Sequence, residues 1–430
     1  MSPEKDGQDV SGGGRDPESK SGPACDDVGR LFNPSPYQSS SSEEIKQTLN
    51  QGGAEIKSLF SSKTWVSPEA LPQLNKAAAM PGMIYVAAMP DLHPGPGSPG
   101  GAAFISQGLI HPKLIGGDIG CGMHLCATSV DANVNVRRLA DRLGSLDRPF
   151  EGDLAPLIAR HRLPHSGFES SIGTIGGGNH FAELQVLAQV VDQKTVDELG
   201  LSSKKALLLI HSGSRGFGQD VLNRYNEHSR GQALDPSSAE GMRYLAGHDA
   251  AVRYAQANRE LIAHRFGERV GAEVTPLLDL SHNFLERKVA DAGEVWIHRK
   301  GAAPADQGLV IIPGSRGSFT YIVRPLGDGK VNAFSLAHGA GRKVSRSQCD
   351  DKFGRLSNEE LQRPRDKRSG IDNYVICENR DLLRQEHGKA YKDIEQVISD
   401  MKDLGLLEVV AVLKPVLTYK TRAETDDGDG

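Results

Sequence analysis

The sequence predicts an α+β protein. Short apolar runs bounded by Gly, Pro or Asp recur through the middle of the chain, long helical patterns are few and unevenly placed, and strand and helix signals do not alternate regularly. Taken in order, MIYVAAM (83–89), the AAFIS stretch (102–106), LLLI (207–210), VIIPG (310–314) and FTYIV (319–323) read as strands. A helix is expected from Ser237 to about Gly271, where Ala, Leu, Glu and Arg mix with Gly247 as the one breaker, and another over Tyr391–Lys402. Residues 1–42 are rich in Ser, Gly, Pro and acids with no hydrophobic period and read as a disordered tail; 421–430 read the same way, leaving 43–420 as one large globular domain. Asp350–Gly370 is polar and charge-dense, and a surface loop is expected there.

Composition excludes several classes of function. With 50 basic and 55 acidic residues among 430, the chain has no global positive field, so any nucleic-acid contact must be local. No run of 18 apolar residues is present, so no membrane association is expected, and the first 30 residues lack the apolar core of a signal peptide. Five cysteines are too sparse and odd a set for a disulfide scaffold, which suits a reducing, cytoplasmic setting. The 49 glycines point to close backbone approach and loops built for ligands.

Candidate chemistry sits in the glycine-rich loops. MPDLHPGPGSPG (89–100) contains GxGxxG at Gly95, Gly97 and Gly100, but prolines fill the variable positions and a strand follows where a dinucleotide site needs a helix. Asp91 and His93 in that segment place an acid and an imidazole on a loop, where a simple turn is the plainer reading. In GGDIGCGM (116–123), Asp118 and Cys121 are a hard and a soft donor three residues apart, suited to Mn, Fe, Co or Zn, although Cys121 alone also reads as a small buried apolar residue. His180 follows Asn179 in GTIGGGNH, His211 closes the LLLI strand, and His282 follows PLLDLS. With Asp118 and Cys121 these three make a plausible ligand set, given a fold that gathers them.

A fourth cluster, Ala337-His338-Gly339-Ala340-Gly341-Arg342-Lys343, sets a histidine among small residues before two cations. Phosphates can approach such a backbone, and an imidazole can attack phosphorus to form a phosphoramidate. No GxxxxGK[ST] pattern occurs, so any nucleotide is held without a P-loop. Arg215, Arg299, Lys300, Arg316 and the 342–368 stretch are the basic candidates, each equally readable as solvated charge.

Together, MPDLHPGPGSPGG, GGDIGCGM, GTIGGGNHFAEL, HSGSRGFG, SHN, RKGA, IIPGSRGSFTYIV, AHGAGR, AYKDI and the closing LTYK resemble, in order, the motifs of the RtcB family of RNA-splicing ligases. The resemblance implies one catalytic domain of mixed and antiparallel sheets around a central metal and nucleotide site. It implies a reaction that uses GTP and two Mn²⁺ to join RNA 3′-phosphate or 2′,3′-cyclic phosphate ends to 5′-hydroxyl ends. Residue by residue, it implies one manganese on Asp118, Cys121 and His180, a second on Cys121, His211 and His282, and guanylylation of His338 with Asp91 behind it. Asn179, Glu183, Ser315, Thr320, Gly339, Gly341, Tyr391 and Lys420 fall at nucleotide-contacting positions. RNA is the implied partner, with an archease-like activator and a monomeric state as further expectations. The pattern is nearer a divergent bacterial branch associated with a peptide release factor homologue than the tRNA-splicing members. A metal-dependent cyclic phosphodiesterase and an RNA-end-binding protein without ligation are the alternatives on the same scaffold.

Overall fold

The computed structural model describes residues 53–290, 293–362 and 371–423, all within one compact unit. In chain order the strands are Glu55–Ser58 (β1), Met83–His93 (β2), Gly100–Ser106 (β3), Gly122–Asp131 (β4), Phe181–Val190 (β5), Lys205–Ser212 (β6), Val274–Ser281 (β7), Asn283–Ala290 (β8), Gly293–Lys300 (β9), Ala302–Pro304 (β10), Val310–Pro313 (β11), Thr320–Pro325 (β12), Ser335–Ala337 (β13), Tyr374–Cys377 (β14) and Leu407–Thr421 (β15). The longer helices are Ala70–Ala78 (α1), Gly216–Ser229 (α2), Ala239–Val270 (α3) and Ile394–Asp403 (α4).

Two sheets dominate. One has the order β1-β2-β3-β9-β8; the other runs β11-β12-β15-β5-β6-β4-β7, with β14 also on β15, and β10 pairs with β13 separately. Pairing is antiparallel except for β1 with β2 and β14 with β15. Apolar faces of the two sheets meet: Ala87, Met89, Ala103, Val295 and Ile297 share one core with Val310, Ile312, Val323 and Val412, joined by Ile394, Val397 and Met401 of α4. On β5 and β6, alternate residues Ala182, Leu184, Val186, Leu208 and Ile210 point the opposite way and are covered by Ile262, Ala263 and Phe266 of α3.

The expected strands are present. The long helix starts at Ala239, two residues after its expected start at Ser237, because Ser238 Oγ caps it by accepting from the Gly241 N–H at 3.0 Å, and it stops where Gly271 takes φ +68°. Its partner begins at Ile394 rather than Tyr391, since Asp393 caps it and leaves Tyr391 outside. Three expectations change. Asp91 and His93 lie on the end of β2 rather than a loop, because the strand resumes after an irregularity and His93 pairs with Gly100. The 350–370 segment is helical over Cys349–Phe353 and Asn358–Gln362, with 363–370 outside the described residues. Thr421 ends β15, and Arg422 donates to the Ala140 and Gly144 carbonyls, while 424–430 and the 1–42 tail lie outside the described residues. No described helix is long and apolar enough to cross a membrane.

Candidate active site

Four neighbouring strand ends supply the donor set. His180 lies just before β5, Cys121 just before β4, His211 near the end of β6, and His282 between β7 and β8. Antiparallel pairing puts the starts of β5 and β4 beside the ends of β6 and β7: Phe181 pairs with His211, and Gly122 with both Ser212 and Ser281. Residues remote in sequence therefore converge at one edge of the β5-β6-β4-β7 array.

The Cys121 thiol is 3.4 Å from His180 Nε2 and 3.1 Å from His211 Nε2. His211 Nε2 is 3.3 Å from His282 Nε2, and Asp118 Oδ2 is 3.6 Å from His180 Nε2. Cys121, His211 and His282 form one set and Asp118, Cys121 and His180 another, each with donor atoms within 4.8 Å of one another. Burial lowers the affinity of all three imidazoles for protons, so they stand neutral and ready to ligate. Burial opposes ionisation of Asp118, but the His180 imidazole and the Cys121 thiol hold its carboxyl well below the usual range. Burial and the adjacent Asp118 charge push the Cys121 thiol up, a cost that a bound cation would remove. Buried N, S and O donors facing one another suit a close pair of transition-metal ions.

His338 lies beside this centre, its ring centroid 4.7 Å from that of His282. Asp91 Oδ2 accepts from His338 Nδ1 at 2.6 Å and from the His338 backbone N–H at 3.3 Å. A carboxylate acceptor fixes the proton on Nδ1 and leaves Nε2 as the nitrogen with a free lone pair. The site demands glycine nearby: Gly301 has φ +60°, and a Cβ there would stand 2.8 Å from His338 Cε1. Gly341 has φ +69°, and its Cβ would be 2.1 Å from the Asp91 carbonyl oxygen.

Asp118, Cys121, His211, His282 and His338 line a cavity of about 240 Å³ that also includes Asn179, Glu183, Ser315, Gly339, Gly341, Tyr391 and Lys420. Lys420 donates to the Gly178 carbonyl at 2.8 Å, and burial lowers its ammonium to about 8. Glu386 receives the Tyr391 hydroxyl and Arg342 Nη1; against the upward push of burial, Lys420, Arg342 and Arg346 hold its carboxyl at about 2. Burial pushes Glu183 up to about 7 despite hydrogen bonds from Thr418 and Gln185. Arg316 reaches the cavity wall with Nε and Nη1 unpartnered, an arrangement that an anion would complete.

Some expected site residues stand behind that wall. Thr320 is buried and accepts from Gln185 Nε2 at 2.9 Å, so it acts on the cavity only through the Gln185–Glu183 bond. Asp91 and His180 also lie one layer back, joined through His338 and through Cys121. Of the basic candidates, Lys300, Arg316, Arg342 and Arg346 line the cavity, whereas Arg299 turns inward to Glu286 and Ser335. Glu386 and Thr418 also line the cavity without carrying a motif signal of their own, and His93, whose plainer sequence reading is a turn, stacks 6.1 Å from His338.

The chain is similar to known proteins over most of its length. The family model described as tRNA-splicing ligase RtcB matches residues 73–150 and 159–421. An RNA-splicing ligase RtcB2 of Escherichia coli is 41% identical over 368 residues, covering 84% of this chain and 94% of that protein. A tRNA-splicing ligase RtcB of Archaeoglobus fulgidus is 30% identical across 81% of this chain and 90% of its own length. An RNA-splicing ligase RtcB of Mycobacterium tuberculosis is 29% identical across 80% and 99%. The matched span contains Asp118, Cys121, His180, His211 and His282 together with His338 and Lys420, and the chain belongs to the RtcB family of RNA ligases.

Proposed function

We propose that this chain is a GTP- and manganese-dependent ligase that joins RNA 3′-phosphate or 2′,3′-cyclic phosphate ends to 5′-hydroxyl ends through guanylylated His338. The observation that carries the reading is the orientation of His338: Nδ1 is tied to the buried Asp91 carboxylate, so Nε2 is the available nucleophile on the cavity wall. Asp118, Cys121 and His180 would hold one Mn²⁺, and Cys121, His211 and His282 the other. When bound, these ions would supply neutralisation of phosphate charge and polarisation of phosphorus.

In the first step His338 Nε2 forms a bond to the GTP α-phosphorus and pyrophosphate leaves. Asp91 keeps the Nδ1 proton and balances the charge that the ring gains. The GMP group then passes to an oxygen of the RNA 3′-phosphate, freeing His338. Finally the RNA 5′-hydroxyl attacks the phosphorus of that 3′-phosphate and GMP departs. A cyclic phosphate first takes up water to open to the 3′-phosphate. Lys420, Glu386, Arg342 and Tyr391 line a polar part of the cavity where a guanine suits, and Arg316, also on its wall, is the cation suited to a phosphate.

The test is incubation with GTP and Mn²⁺ followed by intact-mass measurement. A GMP adduct is expected on the wild-type chain and none on His338→Ala. Cyclic phosphate opened by a chain that forms no adduct would overturn the reading in favour of a phosphodiesterase.

A further inference from the structure

We propose that Arg259 is the positioning residue of the Cys121–His211–His282 donor set, holding three ligand-bearing strand ends in place from the helix behind them. The inference rests on the reading of that set as a divalent-metal site.

Arg259 lies in the middle of α3 and has no exposed surface, an unusual place for a guanidinium. Nη1 donates to the Gly120 carbonyl at 2.7 Å and the Ser212 carbonyl at 2.9 Å, and Nη2 reaches Ser281 Oγ at 3.4 Å. Gly120, Ser212 and Ser281 are the sequence neighbours of Cys121, His211 and His282. One side chain therefore grips the residue beside each donor without touching a donor atom. The opposite edge of the fork is fixed by Asp279, which accepts from Nε at 3.1 Å and from Nη2 at 2.5 Å. The preceding residue, Asn258, serves the other loop: it accepts from the Gly173 N–H at 2.7 Å and donates to Ser212 Oγ and the Gly213 carbonyl at 2.9 and 3.1 Å.

A guanidinium suits this task because its five N–H groups lie in one rigid plane, whereas an ammonium is a compact point charge with three donors and no fixed fork. Groups that orient ligands from behind commonly change metal affinity by about 10–100-fold when removed. A role confined to packing would lower the melting temperature and leave the metal properties of the folded protein intact.

The test uses the full chain and Co²⁺ alone as probe, reading the thiolate-to-cobalt absorption, the visible bands and the metal retained, with melting measured without metal. Wild type is expected to show the thiolate band; its absence would overturn the metal reading itself. Arg259→Lys is expected to fold, to bind cobalt about 10–100-fold more weakly and to shift the visible bands. Wild-type affinity and spectrum in that variant would overturn the proposal. If Arg259→Lys does not fold, Asp279→Asn carries the test, because it keeps the partner's shape while loosening the fork. Weaker cobalt binding by Asp279→Asn supports the assignment, and unchanged binding overturns it.

Discussion

Lys392 braces Asp91 from both sides. Its buried ammonium donates to the Pro90 carbonyl at 2.8 Å and the Leu92 carbonyl at 2.6 Å, the residues flanking Asp91, whose Oδ1 has no hydrogen-bond partner. Burial lowers Lys392 to about 7, while Asp91 and Asp400 act to keep it charged. The cation thus sets the backbone that aims the Asp91 carboxylate at His338. Lys392→Met should slow formation of the GMP adduct by about 10²-fold, the scale of a misplacement near 1 Å, with GTP affinity unchanged. Single-turnover mass measurement checks this, and a wild-type rate would refute it.

Gly301 limits the space around the reactive ring. Alanine there adds a left-handed strain of about 1 kcal/mol and drives a methyl against His338. The expected outcome is a folded protein, melting a few degrees lower, whose guanylylation falls far more than its stability. Equal guanylylation of wild type and Gly301→Ala would show that the ring tolerates the contact. Gly341→Ala, aimed at backbone rather than a side chain, should not yield folded protein.

Glu183 gives a pH signature to stability. Its folded-state pKa, about 7, exceeds its unfolded value of about 4.5, so the native state binds the extra proton between them. The stabilisation from that proton is present below pH 4.5 and lost as pH rises through 7, amounting to about 3 kcal/mol. Glu183→Gln should lack this slope, so the variant gains on wild type as pH rises. Denaturant melts of both chains across that window provide the comparison; parallel curves would contradict it.

Metal affinity should rise with pH. His180, His211 and His282 are already neutral and Asp118 already ionised, so the proton displaced by the first ion comes from the Cys121 thiol. Loss of one proton gives about a tenfold gain per pH unit below the thiol pKa. Cobalt competition titrations at neutral and mildly alkaline pH measure the slope. A flat profile would mean that Cys121 is not a ligand.

The loops legible in the sequence are those whose chemistry is local. Asp118 with Cys121, Asn179 with His180, and the His338 cluster each announce themselves through glycines beside a donor. The way they meet was not legible, because it depends on the order β5-β6-β4-β7, a long-range pairing that no local period encodes. Arg259 and Glu386 escaped notice for a related reason: an arginine in a helical pattern and an acid in a polar stretch look like solvated charge until the fold buries them. The extension of β2 through Asp91 to His93 was hidden by Pro90, which ordinarily marks the end of a strand.

The position of β15 has a consequence for how the enzyme is made. This strand carries Lys420, and it is the last to leave the ribosome of all those described, yet it lies inside its sheet between β12 and β5. Until it emerges, the nascent chain holds two unconnected half-sheets with exposed edges, β11-β12 on one side and β5-β6-β4-β7 on the other. The half that carries Cys121, His180, His211 and His282 can therefore close during translation, while the Lys420 side of the pocket waits for β15 to be threaded into the gap.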